Sequence, residues 1–263
     1  MIIIADQPGQ LGNQIWSYAP FVVYGIKNNR KVFICGFEKH IESFPNLNKH
    51  SLVKIIDGKI RRRFFKKLSR SIFLNRLTKP QTSGELEKAL RKKICLIRAW
   101  GSYRPENLLN ENLKLVRTIW KTSSDLTIDS GGLRIGIHMR QGDYATWRGG
   151  KFYYTSEYYA LKALQLEKEL GQKATYFIAS NTHPDELSKK LKNSYFINRA
   201  SAYQDINLLA QCDFILAPPS TFSRWAAFYG QGPLIVLNGK NDENLLSKAR
   251  IPTALMDASE LEQ

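Results

Sequence analysis

Residues 133–144 read Leu133-Arg134-Ile135-Gly136-Ile137-His138-Met139-Arg140-Gln141-Gly142-Asp143-Tyr144. The first seven form an apolar-rich run of strand length, and the chain leaves them through a charged, glycine-bearing loop. On a strand, His138 and Arg140 point to one face while Ile137 and Met139 point to the other. The segments downstream alternate. Residues 156–170 read as a helix with Ser156 as N-cap, 174–179 as a strand, and 184–192 as a short helix with Pro184 in its first turn. Residues 195–197 read as a strand, 202–212 as a helix, 214–217 as a strand, 221–229 as a helix and 234–237 as a strand. Such alternation specifies a parallel sheet with helices on both faces. Ligands of such sheets sit at the carboxyl ends of the strands.

Upstream, residues 2–5 read as a short buried strand and 6–13 as a loop carrying Pro8, Gly9 and Gly12. Residues 15–27 are helical by period and 31–35 return as a strand, a β-α-β start. Residues 38–125 read as mostly helical and basic, with a candidate strand at 94–99. The polar, glycine-bearing stretch 123–132 reads as a linker. Two domains are therefore expected, 1–130 and 131–263. The loops after Ala5, Met139, Ala179 and Ala217 are the expected places for chemistry.

The composition narrows the class. A chain of 263 residues with 43% hydrophobic and 24% charged residues is neither disordered, collagenous nor a coiled coil as a whole. Its net charge of +16 leaves a nucleic-acid binder, a membrane-surface protein or an enzyme of anions in play. Residues 1–130 carry +14 of it and residues 131–263 only +2. Nine basic residues against Asp57 alone fall between Lys54 and Arg76, interleaved with apolar residues. Ile60, Phe64, Phe65, Leu68 and Ile72 recur at helical spacing. A basic amphipathic helix there reads either as a membrane-surface element or as a solvated helix docked on its domain. No helix-turn-helix, zinc finger or aromatic RNP-type motif supports a nucleic-acid partner.

The N-terminus has no basic leader, and no stretch approaches a spanning length. Cys35, Cys95 and Cys212 are far apart and odd in number, so neither a disulfide framework nor a zinc site is expected. With His40, His50, His138 and His183 scattered, no protein-bound metal is expected. The location that fits is cytoplasmic.

Three loops are competent to meet phosphate. Gly9-Gln10-Leu11-Gly12-Asn13-Gln14 opens a helix, whose first N–H groups and dipole favour an anion. It does not meet the dinucleotide fingerprint, and an ordinary turn capped by Asn13 is the alternative. In the loop after Met139, Arg140 offers a bidentate fork for phosphate, and Asp143 is either a general base or the group that orients Arg140. Pro218-Pro219-Ser220-Thr221-Phe222-Ser223 puts hydroxyls at a helix start, for capping or for phosphate. Together they suggest a ligand linked through a diphosphate. There is no P-loop, no kinase motif set and no DxD aspartate pair.

These segments resemble glycosyltransferase family 11, the α-1,2-fucosyltransferases of the HxR-motif superfamily. Residues 9–19 (GQLGNQIWSYA) are similar to the family's GGLGNQMFQYA, and 138–144 (HMRQGDY) to its HxRRGDY. Residues 203–212 (YQDINLLAQC) are similar to its DLxLMSxC, and 219–228 (PSTFSRWAAF) to its NSTFSWWGAWL. The resemblance implies an α/β, GT-B-like fold of two Rossmann-type domains. It implies that residues 1–130 form the acceptor side and that residues 131–263 bind GDP-fucose. It further implies inverting transfer to a glycan hydroxyl without a metal or other cofactor, in bacterial-type surface polysaccharide synthesis.

By the same resemblance, Arg140 clamps the β-phosphate with His138 beside it. Gly12, Asn13 and Gln14 approach the diphosphate. Ser220, Thr221, Phe222 and Ser223 form the phosphate loop, and Asp205 supports the nucleotide pocket. Three positions depart from the pattern: Gln141 for the second Arg of HxRR, Asn181 where a carboxylate is usual, and Arg224 for the first Trp of the WW pair. These departures keep a same-fold transferase with another nucleotide-sugar donor as the alternative. The acceptor implied is a lipid-linked glycan at an anionic membrane surface, contacted through residues 54–76.

Overall fold

The computed structural model describes residues 1–56, 58–71, 77–129, 131–197, 200–239 and 244–254. The chain divides into two compact units, Met1–Ser123 and Ser124–Gln263. Each is built on its own parallel sheet, and each is described by itself.

The first unit runs β1 (Ile2–Ile4), α1 (Leu11–Lys27), β2 (Val32–Cys35), α2 (Pro45–Lys49), β3 (Val53–Ile56), α3 (Lys59–Ser69), α4 (Ser83–Arg91), β4 (Cys95–Ile97), α5 (Asn107–Glu111) and α6 (Leu113–Ile119). Its strands lie in the order β3-β2-β1-β4, all parallel, with Ile2 opposite both Val32 and Cys95. The central strand β1 is buried on both faces, as a helix-covered parallel strand requires, whereas the edge strand β3 leaves Lys54 exposed.

Three expectations change here. The first helix begins at Leu11, a turn before Ile15. Gln10 holds the N-cap position, so Asn13 lies inside the first turn and does not cap it. Gly9 has φ +40°, and a Cβ there would lie 2.4 Å from the Asn13 amide nitrogen; this turn needs glycine. The second change is β3. It falls in the region read as helical, at the start of the basic stretch, because Val53, Ile55 and Ile56 pair in register with β2. A parallel neighbour outweighs the charge pattern. Third, the expected basic helix is present as α3, and its apolar stripe is exposed rather than docked on the domain. Its Ile60, Phe64 and Leu68 remain 85%, 61% and 36% exposed. The remainder of that call, at Ile72, Phe73, Leu74 and Arg76, lies outside the described residues.

The second unit runs β5 (Leu133–Met139), α7 (Ser156–Leu170), β6 (Ala174–Ser180), α8 (Asp185–Lys190), β7 (Ser194–Phe196), α9 (Ala202–Leu209), β8 (Phe214–Ala217), α10 (Thr221–Gly230) and β9 (Leu234–Val236). The strand order is β7-β6-β5-β8-β9, again all parallel. The chain winds outward from β5 to β7 and then crosses back to β8. Strands β5 and β8 are therefore neighbours whose connections leave in opposite directions. That is the topological switch point, where a crevice opens at the strands' carboxyl ends.

Two further corrections belong to this unit. The cap of α7 is Thr155, whose hydroxyl accepts from the Tyr158 N–H at 3.3 Å; Ser156 is already helical. The expected linker is partly pinned. Leu126 and Ile128 pack on the core cluster around Leu208, Leu209 and Ile215. The side chains of Asn207 and Gln211 donate to the Leu126 carbonyl at 2.8 and 2.9 Å.

Candidate active site

The switch point brings two of the sequence-read loops together. His138 is the penultimate residue of β5 and Arg140 follows the strand directly. The loop 140–145 folds into a 3-10 turn because the Gln141 carbonyl accepts from the Tyr144 and Ala145 N–H groups. This turn carries Asp143 back beside Arg140. The Arg140 Nε donates to one Asp143 oxygen at 2.8 Å, and its terminal nitrogen donates to the other at 3.0 Å. The pair is bidentate, the geometry that fixes a guanidinium plane. The guanidinium also lies 5.7 Å from the centre of the Tyr144 ring. Its hydrogen bond from Arg140 holds the Asp143 carboxyl below the ordinary carboxylate value. A base so placed is weak, and the geometry suits orientation of Arg140.

The second loop leaves β8. Ser220 caps α10, accepting from the Phe222 N–H at 3.2 Å. Ser223 is fully buried, and its hydroxyl donates to the Ser220 carbonyl at 3.2 Å. Thr221 and Phe222 are half-buried in the first helical turn. Tyr144 joins the two loops by donating to the Pro219 carbonyl at 2.6 Å. Burial raises that phenol to about 12, so it keeps its proton at any working pH. His138 completes the cluster, its ring 5.0 Å from that of Phe222. It is 4% exposed, and burial followed by the Arg140 charge lowers it to about 3. The imidazole is therefore neutral, and its Nδ1 is buried without a partner. A buried nitrogen left unpaired is costly, and such atoms gather where a ligand completes the bonding.

The loop after β6 joins the same end. Asn181 accepts from the Gln141 N–H at 3.0 Å. The Gln141 side chain donates to the Tyr154 carbonyl at 3.2 Å and accepts from the Thr182 hydroxyl at 3.0 Å. A Cβ on Gly142 would lie 2.5 Å from the Asn181 amide nitrogen. Two of the three departures thus meet, the Gln141 backbone N–H donating to the Asn181 side chain. The glutamine that replaces a cation holds the neighbouring loop. Tyr144, Tyr154 and Thr182 were not singled out from sequence. Their contacts span 13 to 75 residues and leave no periodic signal.

Asp205 lies on α9, which packs on α10, β5 and β6. Burial alone raises it to about 7, with no charge or hydrogen bond offsetting it. Gly12, Asn13 and Gln14 belong to the first unit. There Gln14 donates to the Gly9 carbonyl at 3.1 Å, and its buried carboxamide oxygen has no partner. Asp6 ties that loop to the segment after β4, accepting from the Ala99 and Trp100 N–H groups at 2.8 and 2.9 Å.

Among the described residues, no three His, Cys, Asp or Glu side chains converge as a metal site, and no helix is long and apolar enough to cross a membrane.

The fold is similar to that of the fucosyltransferase NodZ from Bradyrhizobium, with a TM-score of 0.55 and 15% identity over 92% of this chain and 96% of that one. It is also similar to POFUT1 in complex with GDP-fucose, with a TM-score of 0.54 and 13% identity over 87% and 93%. NodZ α-1,6-fucosyltransferase crystallised with GDP gives 0.51 and 16% over 92% and 96%. At such identities the likeness concerns the fold: two parallel-sheet α/β units of the GT-B-like class. No curated protein matches the sequence. The profile of glycosyl transferase family 11 matches residues 102–252, which include the Arg140 and Ser220 loops and Asp205. The chain belongs to glycosyl transferase family 11, and it is a glycosyltransferase.

Proposed function

We propose that this chain transfers fucose from GDP-fucose to a hydroxyl of a glycan acceptor, with inversion and without a metal ion. The observation that carries the reading is the Arg140–Asp143 pair at the switch point, beside the Ser220-capped start of α10. The bidentate pair holds the guanidinium plane in place before any ligand arrives. As the bond from the anomeric carbon to the diphosphate oxygen breaks, its electron pair passes to GDP. Arg140 and the N-terminal dipole of α10 meet that growing negative charge. The acceptor oxygen forms the new bond from the opposite face and gives its proton up to solvent water. His138, neutral and buried, adds no competing cation, and its free Nδ1 suits a polar group of the donor. A carboxylate at Asp205 matches adjacent N–H donors on a base such as guanine. POFUT1 and NodZ in complexes with GDP-fucose and GDP support this donor class.

The acceptor side rests on α3. Ile60, Phe64 and Leu68 form an exposed stripe four residues apart, with Arg61, Arg63, Lys66 and Lys67 exposed beside it. An apolar stripe among cations suits the headgroup layer of an anionic bilayer. That supports a lipid-linked glycan acceptor, a role in surface polysaccharide synthesis and peripheral attachment at the inner face of the membrane. Transfer from radiolabelled GDP-fucose tests the donor reading. Arg140→Ala should abolish transfer while the circular dichroism spectrum stays native; undiminished transfer would refute it.

A further inference from the structure

The loop that follows β4 in the first unit carries two exposed aromatic residues on a backbone held from several sides. Trp100 is 46% exposed and Tyr103 is 40% exposed. The chain leaves β4 at Ile97 and soon turns back: the Ser102 N–H donates to the Ala99 carbonyl at 3.4 Å, and Gly101 takes the left-handed φ of +76° that such a turn favours. The Asp6 carboxylate holds the Ala99 and Trp100 N–H groups. The Tyr103 N–H donates to the Pro80 carbonyl at 2.7 Å, and the Gln81 side chain donates to the Gly101 carbonyl at 3.2 Å. Arg104 donates to the Ala99 carbonyl at 3.4 Å. The Lys79 side chain crosses Gly101, where a Cβ would lie 2.8 Å from its Cε.

Within this turn the small residues Ala99 and Ser102 are buried while the large aromatic ones stay outside. That is the reverse of what burial favours, so the bracing does not serve to bring the rings into the core. Rigidly presented aromatic side chains mark contact surfaces, because they offer a large amphipathic face and have few torsions to freeze. The loop also lies at the carboxyl end of its sheet, the end where ligands of parallel sheets sit, and Asp6 ties it to the Gly9 loop. We propose that it is a sugar-binding subsite for the acceptor, in which a pyranose lays its C–H face on Trp100 or Tyr103. The Lys79 ammonium, beside Gly101, donates hydrogen bonds to the sugar hydroxyls. This subsite rests on the glycan-acceptor reading of the enzyme and gives that acceptor a place. Lys79, Gln81 and Arg104 break the aromatic surface with hydrogen-bonding groups, which a wholly apolar partner leaves unmatched. A pyranose, apolar on its faces and polar at its rim, matches the mixture. The fixed backbone leaves little to order when it binds.

Binding of the full chain to immobilised oligosaccharides ending in galactose, glucose, N-acetylglucosamine or mannose tests the subsite. The wild type is compared with Trp100→Ala/Tyr103→Ala and with Trp100→Phe/Tyr103→Phe. Both side chains are exposed, so the variants are expected to fold, and circular dichroism verifies that. The wild type should bind at least one of these sugars. The alanine variant should bind it about tenfold or more weakly, and the phenylalanine variant, which keeps a ring at each position, within about threefold of the wild type. Equal affinity in the wild type and the alanine variant, an equal loss in both variants, or no binding by the wild type overturns the subsite. Loss of binding to phosphatidylcholine–phosphatidylserine vesicles in the alanine variant, with sugar binding unmoved, makes the loop a membrane contact and overturns it too. Calorimetry of the same proteins with GDP separates the two readings. If GDP binds but the alanine substitutions leave sugar affinity unmoved, the subsite fails and the donor reading stands. If sugar affinity falls with the rings but the wild type never binds GDP, the donor reading fails and the subsite stands.

Discussion

Asp205 gives the sharpest test of whether this chain keeps a costly group for a ligand. Its carboxyl has an ordinary value of 3.8 and a folded value of about 7, with burial as the cause. Between those values the folded state binds more protons than the unfolded state, so stability falls as pH rises through that window. Above the folded value the full cost of the buried charge is present; toward the unfolded value it is relieved. Integrating the two titrations gives a loss of about 3 kcal/mol for the wild type between about pH 5 and about pH 8 from this group. Partial exposure and local relaxation reduce it, so about 2 kcal/mol is the expected effect. Asp205→Asn cannot titrate there. Urea denaturation of both proteins at the two pH values gives a difference of differences in which all other groups cancel, including His138, whose slope has the opposite sign. The gap should widen toward alkaline pH in favour of Asp205→Asn, while GDP binding weakens in the same variant. A gap independent of pH, or a wild type more stable at the alkaline end, would refute the reasoning.

Two further outcomes follow from packing and charge. A Cβ on Gly230 would lie 2.0 Å from the Ala210 carbonyl oxygen, where α10 passes the end of α9 and the obstacle is backbone; Gly230→Ala should cost about 3 kcal/mol or more in urea denaturation. Replacing Arg61, Arg63, Lys66 and Lys67 by Gln should remove binding to vesicles containing phosphatidylserine, at about 1 kcal/mol per charge, and undiminished cosedimentation would dismiss the membrane reading of α3.

The second sheet is legible in sequence because each buried strand is a short apolar run closed by a polar loop. Leu133–Met139 and Phe214–Ala217 have the expected bounds for that reason. The parallel order then points to the loops after β5 and β8, and Arg140 and Ser220 sit there. Elsewhere local pattern and tertiary context conflict. Val53–Ile56 is a strand because β2 lies beside it, and the lysines around it conceal that. Thr155 and Ser156 are equally good caps by type, and only the backbone decides between them. The bond from Tyr144 to Pro219 closes the site across 75 residues, a separation that no spacing rule reaches. His138 and Arg140 share a strand face in the alternation, but the depressed imidazole depends on burial by Phe222 and neighbouring elements.

The guanine-nucleotide donor site proposed at the switch point of the second sheet is organised by Arg140. Calorimetric titration of the wild type and Arg140→Ala with GDP, UDP, ADP and CMP tests it most directly. The wild type is expected to bind GDP alone, with loss of most of that affinity in Arg140→Ala. Equal binding of GDP by the two proteins, or preference for another nucleotide, would contradict it.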